Sequence, residues 1–178
     1  VMAWVYVGVI VGVPIVNCLL ILPKNPDLIA ERGRFKDTKR WDRVLMLLIA
    51  PLPFITLIIA GLDERFEWSP QIALAFQSSA LVLVVLGYGL VSWAMISNKF
   101  FSGVVRIQKD RGHTVVTAGP YRYIRHPGYM GTIIASLSTP ILLGSLWALI
   151  PAGLTACALI LRTALEDKTL RGELQGYK

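Results

Sequence analysis

Long apolar runs constrain this chain more than any other feature of its sequence. Three of them, Met2–Leu22, Val44–Leu62 and Ile72–Ile96, are long enough to cross a hydrocarbon core of about 30 Å as helices. The composition agrees, because 54% of the residues are hydrophobic, 16% are charged and the mean hydropathy is +0.59. Water-soluble domains are ordinarily much less apolar. The sequence therefore predicts an all-α membrane protein.

Two shorter apolar runs, Tyr129–Leu143 and Trp147–Leu161, complete a prediction of five transmembrane helices. Helices of this length rise only about 22 Å, which is less than the membrane core. The two runs either form a tight hairpin that spans part of the membrane or draw on flanking residues. Gly144 and Ser145 between them permit a tight turn.

The distribution of positive charge predicts how the chain is oriented. Lysine and arginine are frequent after the first and third apolar runs and in the tail, whereas the connection after the second run holds only Arg65 beside acidic residues. Positive loops stay in the cytoplasm. We therefore expect a multi-pass protein with its N-terminus outside and its C-terminus in the cytoplasm. This bias also explains the net charge of +7, so nucleic-acid binding is not predicted.

Smaller features give further expectations. Pro51 and Pro53 predict a kink in the second helix, and Pro26-Asp27 suggests that a surface helix begins within the basic connection Lys24–Arg43. Gly8-x-x-x-Gly12 favours a close helix approach within the chain over a dimer contact. We expect Cys18 and Cys157 to be buried small side chains. The histidines, His113 and His126, are too few to predict a multi-histidine metal site.

The polar residues of the C-terminal half form two clusters. The first extends from Gln108 to Tyr129, and the second consists of Arg162 and Glu166, whose spacing places them on one helical face as an i,i+4 pair. Topology brings both clusters to the same membrane face. No dinucleotide fingerprint, P-loop, nucleophile elbow or zinc-protease motif occurs, so any cofactor must be held by helix ends and irregular loop.

At these clusters the sequence resembles the isoprenylcysteine carboxyl methyltransferases, a family of integral membrane enzymes, with a helix count like that of prokaryotic members. The resemblance covers Asn98–Tyr177 and depends on the order His113-Thr114-Val115-Val116, Gly119-Pro120-Tyr121, Arg125-His126-Pro127-Gly128-Tyr129-Met130-Gly131 and Arg162…Glu166. It implies methylation of the carboxylate of a prenylated cysteine with S-adenosylmethionine. Residues 1–97 would then hold three transmembrane helices and a basic cytoplasmic loop, and residues 98–178 would form the catalytic region.

The resemblance also implies roles for individual residues. Arg162 would bind the substrate carboxylate, and Arg162 and Glu166 would be the catalytic pair. The implied contacts to S-adenosylmethionine, in a pocket on the cytoplasmic side, are Gln108, His113, Thr114, Val115, Val116, Tyr121, His126, Pro127, Gly128, Tyr129 and Glu166. The expected partners are a prenylated C-terminal cysteine or a smaller lipid-borne acceptor and the bilayer itself, and the protein is expected to be a monomer.

Other interpretations remain open at this point. The same pattern fits a phospholipid or lipid amine N-methyltransferase, a non-catalytic membrane binding protein, or a membrane reductase that binds nicotinamide. Arg162 and Glu166 could form a plain surface ion pair, Arg122 and Arg125 could snorkel to lipid phosphates, and Tyr123 fits an aromatic belt.

Overall fold

The computed structural model describes residues 1–21, 23 and 38–177, and within these the secondary structure is entirely helical. The predicted surface helix therefore falls almost wholly outside the described residues. Two short 3₁₀ turns, Lys109–Arg111 and Gly119–Arg122, lie in the long connection before the fifth helix. The helices are α1 (Met2–Ile21), α2 (Arg40–Ile49), α3 (Leu52–Phe66), α4 (Leu74–Ser97), α5 (Pro127–Leu142) and α6 (Leu149–Glu173).

Within the described ranges, four helical segments are long and apolar enough to cross a membrane: α1, the 27-residue segment Arg40–Phe66, α4 and α6. The segment Arg40–Phe66 consists of α2 and α3 in succession. It is interrupted after Ile49 because Pro51 has no N–H to continue the helical hydrogen bonds, and α3 begins at Leu52. The disturbance of the second helix expected from Pro51 and Pro53 is observed as this interruption, and the kink stays a prediction.

The last two helices differ in length although their apolar runs are similar. α5 has 16 residues, whereas α6 has 25 because it continues past Leu161 through a polar stretch to Glu173. The sequence left open whether these helices span only part of the membrane or are extended by flanking residues. α6 is extended by flanking residues. Gly144 has a φ of +80°, and the N–H of Ser145 bonds to the carbonyl of Pro140, so the connection turns tightly as predicted.

α4 and α5 form the most extensive helix pair, and they approach closely at two glycines. A Cβ atom on Gly87 would lie 2.6 Å from the carbonyl oxygen of Gly131 and 2.9 Å from the backbone nitrogen of Ala135. Val84 and Ala135 beside them are almost completely buried. Small residues at a helix crossing allow this backbone contact, which provides van der Waals packing where lipid removes the hydrophobic driving force.

The bundle has two distinct ends. At the turn end, the carboxylate of Asp63 joins α3 to the connection between α5 and α6: it accepts hydrogen bonds from the Ser69 backbone (2.7 Å), the Ser69 hydroxyl (2.6 Å) and the Ser145 hydroxyl. At the loop end, α4 and α6 finish and α2 and α5 begin. The C-terminal polar clusters lie at this loop end.

Two expectations about small residues are wrong. Cys18 and Cys157 are exposed on their helices rather than buried. A thiol is apolar enough to face lipid, so its presence in an apolar run does not predict which side of the helix it occupies. Likewise, no described atom lies within 4 Å of a Cβ built on Gly8 or Gly12, and the expected close approach at these glycines is not formed.

Candidate active site at the loop end

Arg162 projects from α6 into a buried position and binds a carboxylate from α2. Its Nε donates to Oδ1 of Asp42 at 2.7 Å and its Nη2 donates to Oδ2 at 3.2 Å. The same Nη2 also donates to the carbonyl oxygen of Gly103 at 2.7 Å. Only 7% of the Arg162 side chain is exposed, so the guanidinium is held by α2 and by the loop that follows α4.

Asp42 is the site residue that sequence reasoning missed. It lies in the first turn of α2, where a negative charge is favourable, and its side chain is completely buried. Besides Arg162, it accepts the backbone N–H of Val105 at 2.7 Å. The available signal was an isolated acid between Arg40 and Arg43, in a segment whose positive charge had been attributed to membrane topology.

Glu166 binds a tyrosine rather than the arginine one turn before it. The hydroxyl of Tyr129 donates to Oε2 of Glu166 at 2.5 Å. The guanidinium carbon of Arg162 lies 5.3 Å from the centre of the Tyr129 ring, which is within the range of cation–π attraction. Tyr129 therefore bridges the two residues, and the ion pair of Arg162 within the described part of the chain is with Asp42. A plain i,i+4 surface pair is not what the structure forms.

The loop between α4 and α5 is organised around Gln108, which is almost completely buried. Its Nε2 donates to the carbonyl of Phe100 at 2.7 Å, and its Oε1 accepts from Arg111 at 2.8 Å. The His113 ring packs 4.5 Å from the Phe100 ring. Both polar atoms of the Gln108 amide are thus hydrogen-bonded within the loop. The contact of Gln108 with a cofactor stays a prediction.

The start of α5 brings further predicted residues to the neighbourhood of Glu166. The His126 ring stacks on Tyr129 at 5.8 Å, and its Nε2 lies 3.3 Å from the hydroxyl of Tyr177. The pKa of Tyr121 is raised to about 12, first by burial and also by the Glu166 carboxylate, while a hydrogen bond with Asn98 acts in the opposite direction. Tyr129 thus contacts the carboxylate of Glu166, Tyr121 lies within its electrostatic influence, and His126 lies beside Tyr129.

Pro127 and Gly128 are buried and have structural roles. Pro127 is the first residue of α5, where its missing N–H is tolerated. A Cβ on Gly128 would lie 2.9 Å from the Phe101 ring, so only glycine fits this contact without a shift. Both residues fix the position at which Tyr129 enters α5.

A second set of predicted residues lies beside an open cleft of about 350 Å³, a size within the range of small-molecule sites. His113 and Thr114 form one wall, and Glu173 and Leu174 at the end of α6 form another. Val115 and Val116 follow directly and are half-buried. Of the predicted cofactor residues, the structure places His113 and Thr114 at this cleft and Tyr129 at Glu166, whereas the amide of Gln108 is bound within the loop.

His113 is expected to make the loop sensitive to acid. Burial, followed by the charges of Arg106 and Arg111, lowers the pKa of His113, and its Nδ1 accepts the backbone N–H of Gln108 at 3.3 Å, which requires the neutral ring. Below the usual histidine pKa of about 6.5 the unfolded chain gains a proton that the folded loop resists. This contribution to stability is therefore complete above about pH 6.5 and is lost as the pH falls towards the folded-state pKa.

Thermal unfolding of the detergent-purified protein at a series of pH values between 7.5 and 5 measures this contribution. The melting temperature of His113→Asn should decline less over this interval than that of the wild type, because asparagine does not titrate. Parallel curves for the two proteins would show that His113 does not carry the effect.

Comparison with known proteins gives a consistent family. Residues 80–172 match the family described as "Isoprenylcysteine carboxyl methyltransferase (ICMT) family". The chain is 42% identical over 71 residues to the protein-S-isoprenylcysteine O-methyltransferase of Schizosaccharomyces pombe, a match that covers 39% of this chain and 30% of the relative.

Two further relatives carry related names. The protein-S-isoprenylcysteine O-methyltransferase B of Arabidopsis thaliana is 30% identical over 100 residues, which is 56% of this chain and 48% of the relative. The protein-S-isoprenylcysteine O-methyltransferase of Rattus norvegicus is 34% identical over 82 residues, 45% of this chain and 29% of the relative. The chain thus spans less than half the length of these relatives.

Proposed function

Because the chain belongs to the isoprenylcysteine carboxyl methyltransferase family, we propose that it transfers a methyl group from S-adenosylmethionine to the C-terminal carboxylate of a prenylated cysteine. The names of its relatives support this acceptor. The single structural observation that carries the proposal is the joint placement of Arg162, Tyr129 and Glu166 at one end of an apolar helix bundle. A lipid-borne acceptor can reach such an end from the bilayer.

The acceptor side of the reaction requires positioning rather than acid–base catalysis. An α-carboxylate has a pKa of about 3.3–3.7 and is already a nucleophile at neutral pH. We assign its binding to Arg162, the buried cation of this site. Alignment in a desolvated site provides most of the acceleration that such a reaction needs.

The donor side fits the residues around Glu166. S-adenosylmethionine, when bound, supplies a methyl group activated by a sulfonium. Oε2 of Glu166 accepts from Tyr129, whereas Oε1 has no hydrogen-bond partner among the described residues and the side chain is partly exposed. This oxygen suits an ammonium or a ribose hydroxyl. The rings of Tyr121 and Tyr129 suit a sulfonium, and the walls of the cleft at His113 and Thr114 suit the adenosine end.

Titration calorimetry with S-adenosylhomocysteine tests the donor site. Glu166→Gln keeps the shape of the side chain but removes its charge, so we expect binding to weaken by about 10- to 100-fold, the effect of losing a hydrogen bond to a charged group. The same substitution at Glu64, near the turn end, is the matched control and should leave affinity unchanged. Equal affinities of wild type and Glu166→Gln would contradict the assignment.

The protein is an integral membrane protein by its apolar helices and its family. For its orientation we propose that the N-terminus is outside and that the loop end faces the cytoplasm, where S-adenosylmethionine is made available. This orientation places the lysine- and arginine-rich connections on the cytoplasmic side. Five spans, with α5 as the fourth, are consistent with termini on opposite sides.

The rival functions are less well supported. Methylation of a phospholipid amine requires removal of a proton from an ammonium, and the names of the relatives, which are O-methyltransferases, do not support an amine acceptor. A reductase is not what the family match indicates. A non-catalytic binding protein would bind S-adenosylhomocysteine without turning over any acceptor, which separates it from an enzyme.

A further inference from the structure

The guanidinium of Arg162 has only one nitrogen left for an acceptor. Arginine carries five N–H donors. The Nε–H and one Nη2–H are bound by Asp42, and the other Nη2–H is bound by the Gly103 carbonyl. The two N–H groups of Nη1 have no hydrogen-bond partner among the described residues. The bidentate edge that arginine usually offers to a carboxylate is therefore occupied by the protein itself.

Asp42, like the Arg162 guanidinium that it binds, is held in place by several contacts. Its side chain is fully buried, and its Oδ2 also accepts the Val105 N–H. The backbone of Lys39 donates in turn to the Val105 carbonyl at 3.3 Å, so the start of α2 and the loop after α4 are joined on both sides of the carboxylate. Tyr129 packs near the guanidinium of Arg162. An incoming carboxylate does not displace Asp42 without breaking these contacts.

We propose that Asp42 is a positioning residue that restricts Arg162 to a single-nitrogen contact with the acceptor and offsets its charge. The inference rests on the proposed carboxyl methylation. An acceptor carboxylate bound only through Nη1 has one oxygen held and the other free to form the ester bond. The pairing with Asp42 limits how strongly Arg162 stabilises the acceptor before reaction.

This limit matters because the acceptor loses negative charge as the ester forms. A cation without a counter-ion stabilises the full charge of the bound carboxylate more than the reduced charge of the transition state, which strengthens binding but slows the reaction. By offsetting the charge of Arg162, Asp42 reduces the difference between the stabilisation of the bound carboxylate and that of the transition state. The fully buried Asp42 is also unavailable to attract an ammonium, while the Nη1 donors repel one, so the arrangement selects an anionic acceptor over a lipid amine.

The test separates acceptor affinity from turnover in Asp42→Asn. Affinity is measured for N-acetyl-S-farnesylcysteine and for its carboxamide with S-adenosylhomocysteine at saturation, and kcat is measured with S-adenosylmethionine. We expect Asp42→Asn to bind the acid about tenfold more tightly than the wild type does. We expect its kcat to be lower than that of the wild type by about tenfold or more. The affinities for the carboxamide and for S-adenosylhomocysteine should stay within about threefold, since neither ligand is held through the charge of Arg162.

A matched control converts another carboxylate to an amide. Glu64 lies in α3 near the turn end and has no described contact with Arg162. Glu64→Gln should change neither the acid affinity nor kcat. If Asp42→Asn lowers the affinities for the acid and for S-adenosylhomocysteine together, or if it changes neither the affinities nor kcat, Asp42 has only a structural role. Either result would overturn the inference.

A measurement on the wild type keeps the inference testable if Asp42→Asn does not fold. Because one nitrogen of a charge-balanced arginine contacts the acid, its affinity should exceed that of the carboxamide by no more than about tenfold. If the affinity for the acid exceeded that for the carboxamide by about a hundredfold or more, Arg162 would make a bidentate contact with the acid, and the inference would be overturned. If the wild type binds S-adenosylhomocysteine but esterifies no prenylated acid, the proposed function fails and the inference with it. If the wild type is active but Asp42→Asn does not combine tighter binding of the acid with a lower kcat, the inference alone fails.

Discussion

Arg162→Ala is expected to abolish methyl transfer and to lower the free energy of unfolding by about 3–5 kcal/mol, the cost of leaving one member of a buried ion pair without its partner. The reason is Asp42, which is fully buried and, among the described residues, would keep the N–H of Val105 alone as a partner. Turnover of a prenylated acid and chemical unfolding in detergent give the two readouts.

The double variant Asp42→Leu/Arg162→Met separates the two effects of this substitution. Replacing both members of a buried ion pair by apolar side chains is often neutral or stabilising, so the double variant should regain most of the stability lost in Arg162→Ala. It should remain inactive, because no cation is left for the acceptor. A single variant as stable as the wild type would show that the pair between Arg162 and Asp42 is not formed as described.

Gly87→Val is expected to destabilise the bundle by about 3 kcal/mol, at the upper end of the range for overpacked cores. The new Cβ would lie 2.6 Å from the Gly131 carbonyl oxygen and 2.9 Å from the Ala135 nitrogen, and both are backbone atoms of α5 that no side-chain rotation moves away. The two helices must therefore separate, which also shifts the start of α5 and Tyr129. Thermal unfolding in detergent measures the loss.

Gly89→Val provides the control for this substitution on the same helix. No described atom lies within 4 Å of a Cβ built on Gly89, so valine there meets open space. Its melting temperature should stay close to that of the wild type, while that of Gly87→Val falls. If both variants unfolded alike, the intrinsic cost of valine in the helix, and not the contact with Gly131, would be the cause.

The features that sequence reasoning predicted correctly are those that depend on local pattern. Apolar runs gave the helices, Pro51 gave the break between α2 and α3, and the spacing of Arg162 and Glu166 placed both on the side of α6 that meets Tyr129. Each of these follows from residues close together in the chain or from membrane thickness.

The features that it missed depend on long-range contacts. Asp42 and Arg162 are 120 positions apart, and no local pattern indicates that they meet. The burial of the two cysteines was predicted wrongly because a uniformly apolar helix contains no periodicity that separates lipid from protein. Gln108 was predicted as a ligand contact, and the structure shows that its amide also closes its own loop.

The most direct test of the proposed function is a competition between two acceptors. The protein, purified and returned to lipid bilayers that contain phosphatidylethanolamine, is incubated with N-acetyl-S-farnesylcysteine and S-adenosylmethionine bearing a deuterated methyl group. Mass spectrometry then locates the label. The proposal predicts a labelled ester of the prenylated acid that mild base hydrolyses, and its absence with Arg162→Ala. Label on phosphatidylethanolamine, or no labelled acceptor from protein that binds S-adenosylhomocysteine, would contradict it.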